Sequence, residues 1–595
     1  MAIKIRYQNL LSSFLYRKAM GLKRSPSPRE GSGRGTPQLR DSLGFRMKRQ
    51  MVDKNTLTAY EQLGGEDSND QTNTLTKNKT IFDEEAEGAG YIIDGRLRRV
   101  KPYFFTYLTY CKMRWRDRKL LDVFVSEFRD RDAEYYKNTI ASGQVTLNRK
   151  PASLDSVVRN GDLISHRCHR HEPAVTSRDI KFVFENEDLL VIDKPSGIPV
   201  HPAGRYRYNS ITKILQHEYG KTAHPCNRLD RLTSGLMFLG KNSKGTDKFV
   251  QQIKDKSVKK EYIARVVGKF PTHEVAVDRP LSTVSPKHGL NRVDYANGKE
   301  AKTIFRRLFY DLETNTTIVK CAPLSGRTHQ IRVHLQYMGH PIANDPIYAN
   351  KYVWGDPLGK EGDGDTDTII SRLDSIGKNV ATSTWMYPEQ QGEVLAGVSC
   401  DVCGSELYTD PGINDLDLWL HAYKYEAADK SWSYSTRYPT WVTEPCKPYM
   451  ELALQMAAKC GETQTQFNVG AVLVYDGQIL ATGHSRELPG NTHAEQCALE
   501  KYFEQSGERT VPEGTEIFTS MEPCSFRLSG QSPCVNRILD VNNIKSCFVG
   551  VLEPDTFVKD NSSSKILSEA NISYIYIPGF EKRALEIAIK GHDKK

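Results

Sequence analysis

Residues 226–236 read CNRLDRLTSGL, and their reading decides what the long N-terminal part of the chain is. Asp230 stands between Arg228 and Arg231. Nearby positive charge favours the carboxylate over its acid. Leu229 and Leu232 alternate with these charges, and Thr233-Ser234-Gly235 is turn chemistry ahead of the apolar run 236–239. As a bare string, R-x-D-R is a surface ion-pair network. Its apolar flanks and its turn also suit a carboxylate held rigidly at the mouth of a cleft, and the rest of the chain decides between the two readings.

Outward from this stretch, residues from about 178 to 440 alternate apolar and polar in FVFENEDLLVIDKPSG, EYIARVVGKF, TIFRRLFYD and TTIVKCAPL, the period of strands. DLWLHAYKYEA, from Asp417 to Ala427, reads as a returning strand of the same sheet. An acidic, Gly-rich insertion interrupts the pattern at about 355–400. Its DGDTD imitates the start of a calcium loop, but the sixth position is Thr368 rather than Gly and the last is Asp374 rather than Glu, so it reads as an insertion loop. Cys400-Asp-Val-Cys403-Gly supplies half of a tetrahedral zinc site, with no second ligand pair nearby in sequence.

Four strings accompany Asp230 in order: DKPSGIPVHP (193–202), KKEYIARVVG (259–268), LSGRTHQIRVHLQYMGHPIANDPIY (324–348) and WLHAYKY (419–425). At these residues the chain closely resembles the RluA-type pseudouridine synthases, over about 178–440. The resemblance implies a twisted mixed sheet with a central cleft that needs no metal or cofactor. It makes Asp230 the catalytic carboxylate, Arg327 its pairing arginine, Tyr262 the aromatic that stacks on uracil, and Arg228 the group that positions a flipped nucleotide. Lys260 and Arg332 are expected to serve as RNA-backbone or structural contacts, and His201, His329, His334 and His340 as packed structural histidines. Where the family commonly has His, this chain has Asn227. That departure bears on how a nucleotide is flipped rather than on Asp230.

After WVTEPCKP (441–448), which reads as a linker, the pattern changes to strands alternating with helices, as in a layered, largely parallel sheet. The hairpin NVGAVLVYDGQILATG turns at Asp476-Gly477. Thr492-His493-Ala494-Glu495 opens a helix, Met521-Glu-Pro-Cys524 ends a strand, and Cys534 follows with nine residues between. H-x-E with P-C…C is the signature of zinc-dependent nucleobase deaminases. His493, Cys524 and Cys534 are the zinc ligands in that reading, with a fourth position left for water, and Glu495 is the proton carrier. MEPCSFRLSGQSPCVNRIL is similar to the riboflavin-pathway deaminases, whose cysteines enclose a longer loop than the two residues usual in RNA and nucleoside deaminases. The similarity covers about 449–575 and carries Asn468 over as a pocket residue. Bacterial members continue into a reductase domain, and with about 20 residues after 575 that activity is expected to be absent.

At 595 residues the chain exceeds one core. Residues 1–50 hold 12 Lys/Arg against Glu30 and Asp41, so the net charge of +9 sits in this segment. It reads as a basic tail able to touch nucleic acid, or as a mitochondrial transit segment in an otherwise cytoplasmic protein. Residues 51–90 are polar and expected to be disordered. No apolar run approaches a membrane span, and twelve scattered cysteines favour a reducing compartment. Residues 91–172 look like an S4-type RNA-binding module, with Gly143 to Asn148 and Asn160-Gly-Asp162 as its turns and Lys112, Arg114, Arg116, Arg118 and Lys119 as a basic helical face toward phosphates.

The expected architecture is therefore multidomain: an N-terminal region (1–90), the S4-like module (91–172), an α+β mixed-sheet synthase domain (173–440), the linker, an α/β three-layer deaminase-like domain (449–580) and a tail (581–595). The combination resembles the fungal bifunctional proteins that join a riboflavin-pathway deaminase to a tRNA pseudouridine synthase. It implies two substrates, a phosphorylated diaminopyrimidinone and the tRNA anticodon stem-loop at uridine 32, with Zn2+ in the deaminase half alone. Two other readings stay open. One is a tRNA-editing deaminase whose synthase-like half only binds RNA, and the other is a non-catalytic RNA-binding first half.

Overall fold

The apolar run after Asp230 becomes strand Ser234–Gly240, buried from Gly235 onward on both faces. The computed structural model that shows this describes residues 90–128, 133–255, 257–389, 392–554 and 561–592. The basic and polar segments expected over 1–89 lie outside the described residues. The described chain forms two compact units, one of residues 90–177, 201–222 and 396–408, the other of the rest.

In the first unit, strands Tyr103–Tyr110, Leu163–Arg170, Val145–Leu147 and Lys150–Pro151 form an antiparallel sheet. Helices Leu120–Glu127 and Ala133–Ala141 cover a core of Trp115, Leu120, Phe124, Tyr136 and Ile140. The expected basic helical face is corrected. Residues Met113–Trp115 form a single 3-10 turn, and Arg118–Lys119 is a short strand. Asp117, at φ 60°, adopts a left-handed backbone that ends any helix there. Arg114 is paired with Glu127, Arg116 with Asn160 and Lys119 with Asp155, so these cations are engaged within the module.

The second unit holds two large sheets and a separate two-stranded one, Leu281–Ser285 with Leu290–Val293. The larger runs Lys181–Glu185, Leu189–Lys194, Ser234–Gly240, Leu420–Ala427, Val258–Val267, Thr316–Pro323, Lys302–Asp311, Val275–Asp278. It is mixed, because Ser234–Gly240 pairs in parallel with Leu420–Ala427 while its other pairings are antiparallel. Gly235 makes that parallel junction possible: its φ is 107°, and a Cβ there would run into the Ala422 backbone. The acidic insertion is more ordered than a loop. Asp365, inside DGDTD, caps helix Thr366–Ser375 through the Thr368 amide, and Ile369 and Leu373 are buried.

The smaller sheet runs Gln478–His484, Gly470–Tyr475, Thr515–Thr519, Ile544–Val549, Ser573–Tyr576, with the last three strands parallel. Alternate side chains face opposite ways along a strand. Ala471 and Leu473 meet helices Ala494–Ser506 and Cys534–Asp540, while Val472 and Val474 meet helices Lys447–Ala457 and Glu581–Ala588. This is the expected three-layer arrangement.

Two expected boundaries change. Residues 441–448 are helical rather than a linker, with Val442 and Cys446 wholly buried. Residues 581–588 are a helix on the core rather than a tail. The Val472 face also takes in Leu308, Phe309 and Ile318 from the larger sheet. Ser546 donates to the Leu308 carbonyl at 2.9 Å, and the buried Arg307 lies 2.6 Å from Asp476 in the hairpin turn. Among the described residues, no helix is long and apolar enough to cross a membrane.

Candidate active sites

Asp230 is held by its backbone. The wholly buried Lys194 of DKPSG donates to the Arg231 carbonyl (3.1 Å), and Gly197 N bonds to the same oxygen (2.9 Å). Ser196 donates to the Leu232 carbonyl and to Leu416 O. Thr233 N closes the turn onto Asp230 O at 3.1 Å. The DKPSG segment thus clamps the two residues after Asp230, which leaves the carboxylate at a fixed place with its side chain 39% exposed. Burial pulls the Lys194 ammonium down to about 7, and the charge of Arg231 acts in the same sense.

The carboxylate faces helix Gln330–Tyr337. His329 Nε2 is 3.3 Å from Asp230 Oδ2, and Arg332 Nη1 is 3.5 Å from the same atom. His329 caps that helix with φ 57°, a conformation a non-glycine residue adopts at some strain. Its Nδ1 is 3.0 Å from the Tyr348 hydroxyl. Arg332 makes a bidentate pair with the buried Asp345 (2.7 and 2.9 Å), which also accepts from the amides of Ile347 and Tyr348. Burial acts to raise the Asp345 carboxyl, but Arg332 and the two amides together hold it below the usual range.

The arginine beside Asp230 is therefore Arg332. Arg327 is exposed, and its Nε donates to the Glu300 carbonyl. His329, expected to be structural, is in the site. His334 and His340 are tied to Thr303 and Arg279 O and to Val267 O. Tyr262 is half-buried with its hydroxyl bonded to that of Tyr425, and burial pushes its phenol well above the ordinary value. Arg228 is exposed next to the site. Asn227 pins the Phe238 amide at 2.8 Å, a structural duty.

In the second site His493 caps helix Ala494–Ser506 and Cys534 begins helix Cys534–Asp540. His493 Nδ1 lies 3.3 Å from Cys534 Sγ and 3.5 Å from Cys524 Sγ. With metal–nitrogen and metal–sulfur bonds of about 2.0 and 2.3 Å, a tetrahedral N···S edge is about 3.5 Å, so the three residues fit zinc. Donation from Cys534 is the largest influence holding Cys524 down to about 4, and Cys534 itself is raised. Such a donor set calls for a central cation.

Glu495 is 2% exposed, accepts from Thr519 Oγ1 at 3.1 Å, and lies 3.1 Å from Cys534 Sγ. Burial raises its carboxyl, which suits a group that holds a proton. The cavity over these residues is lined by Arg486, Phe526, Arg527 and Glu553 among others. Asn468 does not line it. Its side chain is spent on the Ile587 carbonyl and on Arg486, so it orients a lining residue instead. Glu553, which no motif marks, faces the cavity with its carboxyl pushed up to about 8, by burial first and then by Cys524.

Comparison with known proteins agrees with this layout. Residues 188–337 match the family model for RNA pseudouridylate synthase, and 443–551 match the cytidine and deoxycytidylate deaminase zinc-binding region. Over 361 residues the chain is 58% identical to "tRNA pseudouridine(32) synthase, mitochondrial" of Saccharomyces cerevisiae, covering 59% of this chain and 78% of that one. It is 46% identical to human "Pseudouridylate synthase RPUSD2", covering 47% of this chain and 51% of that one. Among solved structures, a Rib2 deaminase of Aspergillus oryzae is 34% identical, covering 25% of this chain and 94% of that one, with a TM-score of 0.24.

Proposed function

The chain belongs to the RNA pseudouridine synthases, and from that membership we propose that it converts uridine to pseudouridine at position 32 of the tRNA anticodon stem-loop while its C-terminal domain deaminates 2,5-diamino-6-ribitylamino-4(3H)-pyrimidinone 5′-phosphate. The observation that carries the RNA half is the clamped Asp230 carboxylate, with His329 and Arg332 on one side and Tyr262 nearby. The yeast relative's name supports the position.

In this reading the glycosidic C1′–N1 bond breaks, the uracil turns, C1′ joins C5, and the C5 proton leaves. Asp230 acts as nucleophile at the sugar or as base at C2′. Burial keeps the Tyr262 phenol protonated, so it stacks as a neutral ring and the C5 proton passes to the Asp230 carboxylate, which is free again once C1′ has joined C5. Arg228, exposed at the rim, meets the flipped nucleotide.

The deaminase half rests on His493, Cys524 and Cys534 with the buried Glu495. Zinc held there would supply an activated water near neutral pH. Glu495 moves that proton to the departing amine. The nine residues between the cysteines bring Phe526 and Arg527 to the cavity wall. With Arg486 they offer a stacking face and positive charge to a phosphorylated ring, which favours the small pyrimidine over an RNA base. For location, the reading is a cytoplasmic enzyme. The printed name of the yeast relative supports the alternative, in which residues 1–50 direct a mitochondrial pool. Fusing residues 1–50 to a fluorescent protein and imaging it tests that alternative.

The enzymatic test gives purified wild-type, Asp230→Ala and Glu495→Ala protein both the phosphorylated diaminopyrimidinone and unmodified tRNA. Each variant is expected to lose one activity and keep the other. Loss of neither activity in Asp230→Ala would return the first half to an RNA-binding role. Ammonia release from tRNA alone would establish the editing deaminase instead.

A further inference from the structure

Two strings far apart in sequence meet in the first unit. Strand Leu163–Arg170 carries His169, and His171 follows two residues on, so both imidazoles leave the chain on one face. Opposite them, the turn between Leu395–Ser399 and Glu406–Tyr408 carries Cys400 and Cys403. Cys400 Sγ lies 3.5 Å from His169 Nδ1, and Cys403 Sγ lies 3.5 Å from His171 Nε2. All four ligand atoms fall within 4.8 Å of one another. The N···S separations match the edge of about 3.5 Å expected for tetrahedral zinc.

The turn has the build of a metal knuckle. Val402 N donates to Cys400 Sγ (3.4 Å), Gly404 N to Cys400 O (2.8 Å), and Gly404 takes the left-handed φ of 64° that closes the loop. We infer that His169, His171, Cys400 and Cys403 form a second zinc site, structural in kind. Two histidines and two cysteines fill a tetrahedron and leave no position for water, unlike the three ligands of the deaminase centre.

A second observation points the same way. The hairpin has no core of its own: four of the five residues of Leu395–Ser399 are exposed, Val398 (56%) among them, and so is Val402 (60%) in the turn. A lone two-stranded hairpin is marginal in water. A metal bond supplies what apolar burial does not. It also fixes Tyr408, whose ring lies 4.2 Å from the Arg205 guanidinium, beside a surface where Arg207 stacks on Phe105 and Arg167 on Phe104.

Metal content of the purified full chain, measured by mass spectrometry, tests this. Two zinc ions per chain are expected in wild type and one in Cys400→Ser/Cys403→Ser, with deamination unchanged in that variant. In parallel, cobalt-loaded wild type is expected to show thiolate-to-cobalt absorption that drops by about half in the same variant. One zinc per chain in both proteins overturns the inference. So does a Cys400–Cys403 disulfide in protein isolated under thiol-blocking conditions. Should the double variant misfold, His169→Ala gives the same readout from the other side of the site, and an unchanged zinc count of two would refute the assignment.

Discussion

Replacing Arg332 by Met removes the guanidinium that spans two carboxylates. Asp345 is wholly buried and loses its bidentate partner. Breaking a buried pair by deleting one member costs about 3–5 kcal/mol. The amides of Ile347 and Tyr348 still bond to Asp345 at 2.9 Å each, which places the expected loss near the lower end, ~3 kcal/mol. For a region of this size each kcal/mol shifts the melting temperature by about 2–4 °C, so the synthase transition should fall by about 6–12 °C. Adding Asp345→Asn removes the stranded charge and keeps an acceptor for the two amides. That second change should recover at least ~1–2 kcal/mol.

Asp230 gains nothing from this repair, since its guanidinium neighbour at 3.5 Å is still missing. Pseudouridine formation should therefore stay down by about a hundredfold, the usual consequence of a misplaced reacting group. Thermal unfolding and pseudouridine yield on a tRNA transcript, measured on both variants, separate the two roles. If the double variant regained activity along with stability, Arg332 would be a core strut with no part in positioning Asp230.

Asp230→Asn should lower pseudouridine formation by about 10²–10⁴ while leaving ammonia release unchanged, scored by nucleoside mass spectrometry. Glu495→Gln should lower deamination by a similar factor with the zinc content of the chain unaltered, which separates proton transfer from metal loss. Lys194, held down to about 7 against an unfolded value of 10.5, makes the folded state resist protonation there. Its contribution is full above pH 10.5 and is lost as pH falls toward 7, so stability should rise with pH across that window. Denaturant unfolding of Lys194→Met should show a flatter pH dependence over the same range, and an equal slope in both proteins would refute the argument.

Candidate chemistry-bearing residues are legible where a reaction needs several of them in one recognisable pattern. CNRLDRLTSGL and the set His493, Glu495, Cys524, Cys534 are of that kind. The choice between Arg332 and Arg327 as the neighbour of Asp230 is made by Asp345, thirteen residues on from Arg332, and by the left-handed turn at His329. Neither leaves a local pattern. Asn468 reads as a pocket polar group, yet the carbonyl of Ile587 on the last helix and Arg486 consume it. Glu553 lies outside every motif and reaches the cavity through the fold alone. TEPCKP, with two prolines, imitates a linker. In the structure those prolines stand in first turns of helices, where a missing amide does no harm. The charges of 112–119 alternate without an apolar helical stripe, and the segment forms a 3-10 turn and a short strand rather than a helix.

Leu308, Phe309 and Ile318 of one enzyme lie in the same apolar layer as Phe518 and Phe548 of the other. A chain cut at residue 440 would bare that layer on both fragments, and each would become sticky. On one chain with one shared layer, the two catalytic halves come in a one-to-one ratio and depend on a common core. A lesion that loosens either sheet is therefore expected to destabilise the other as well.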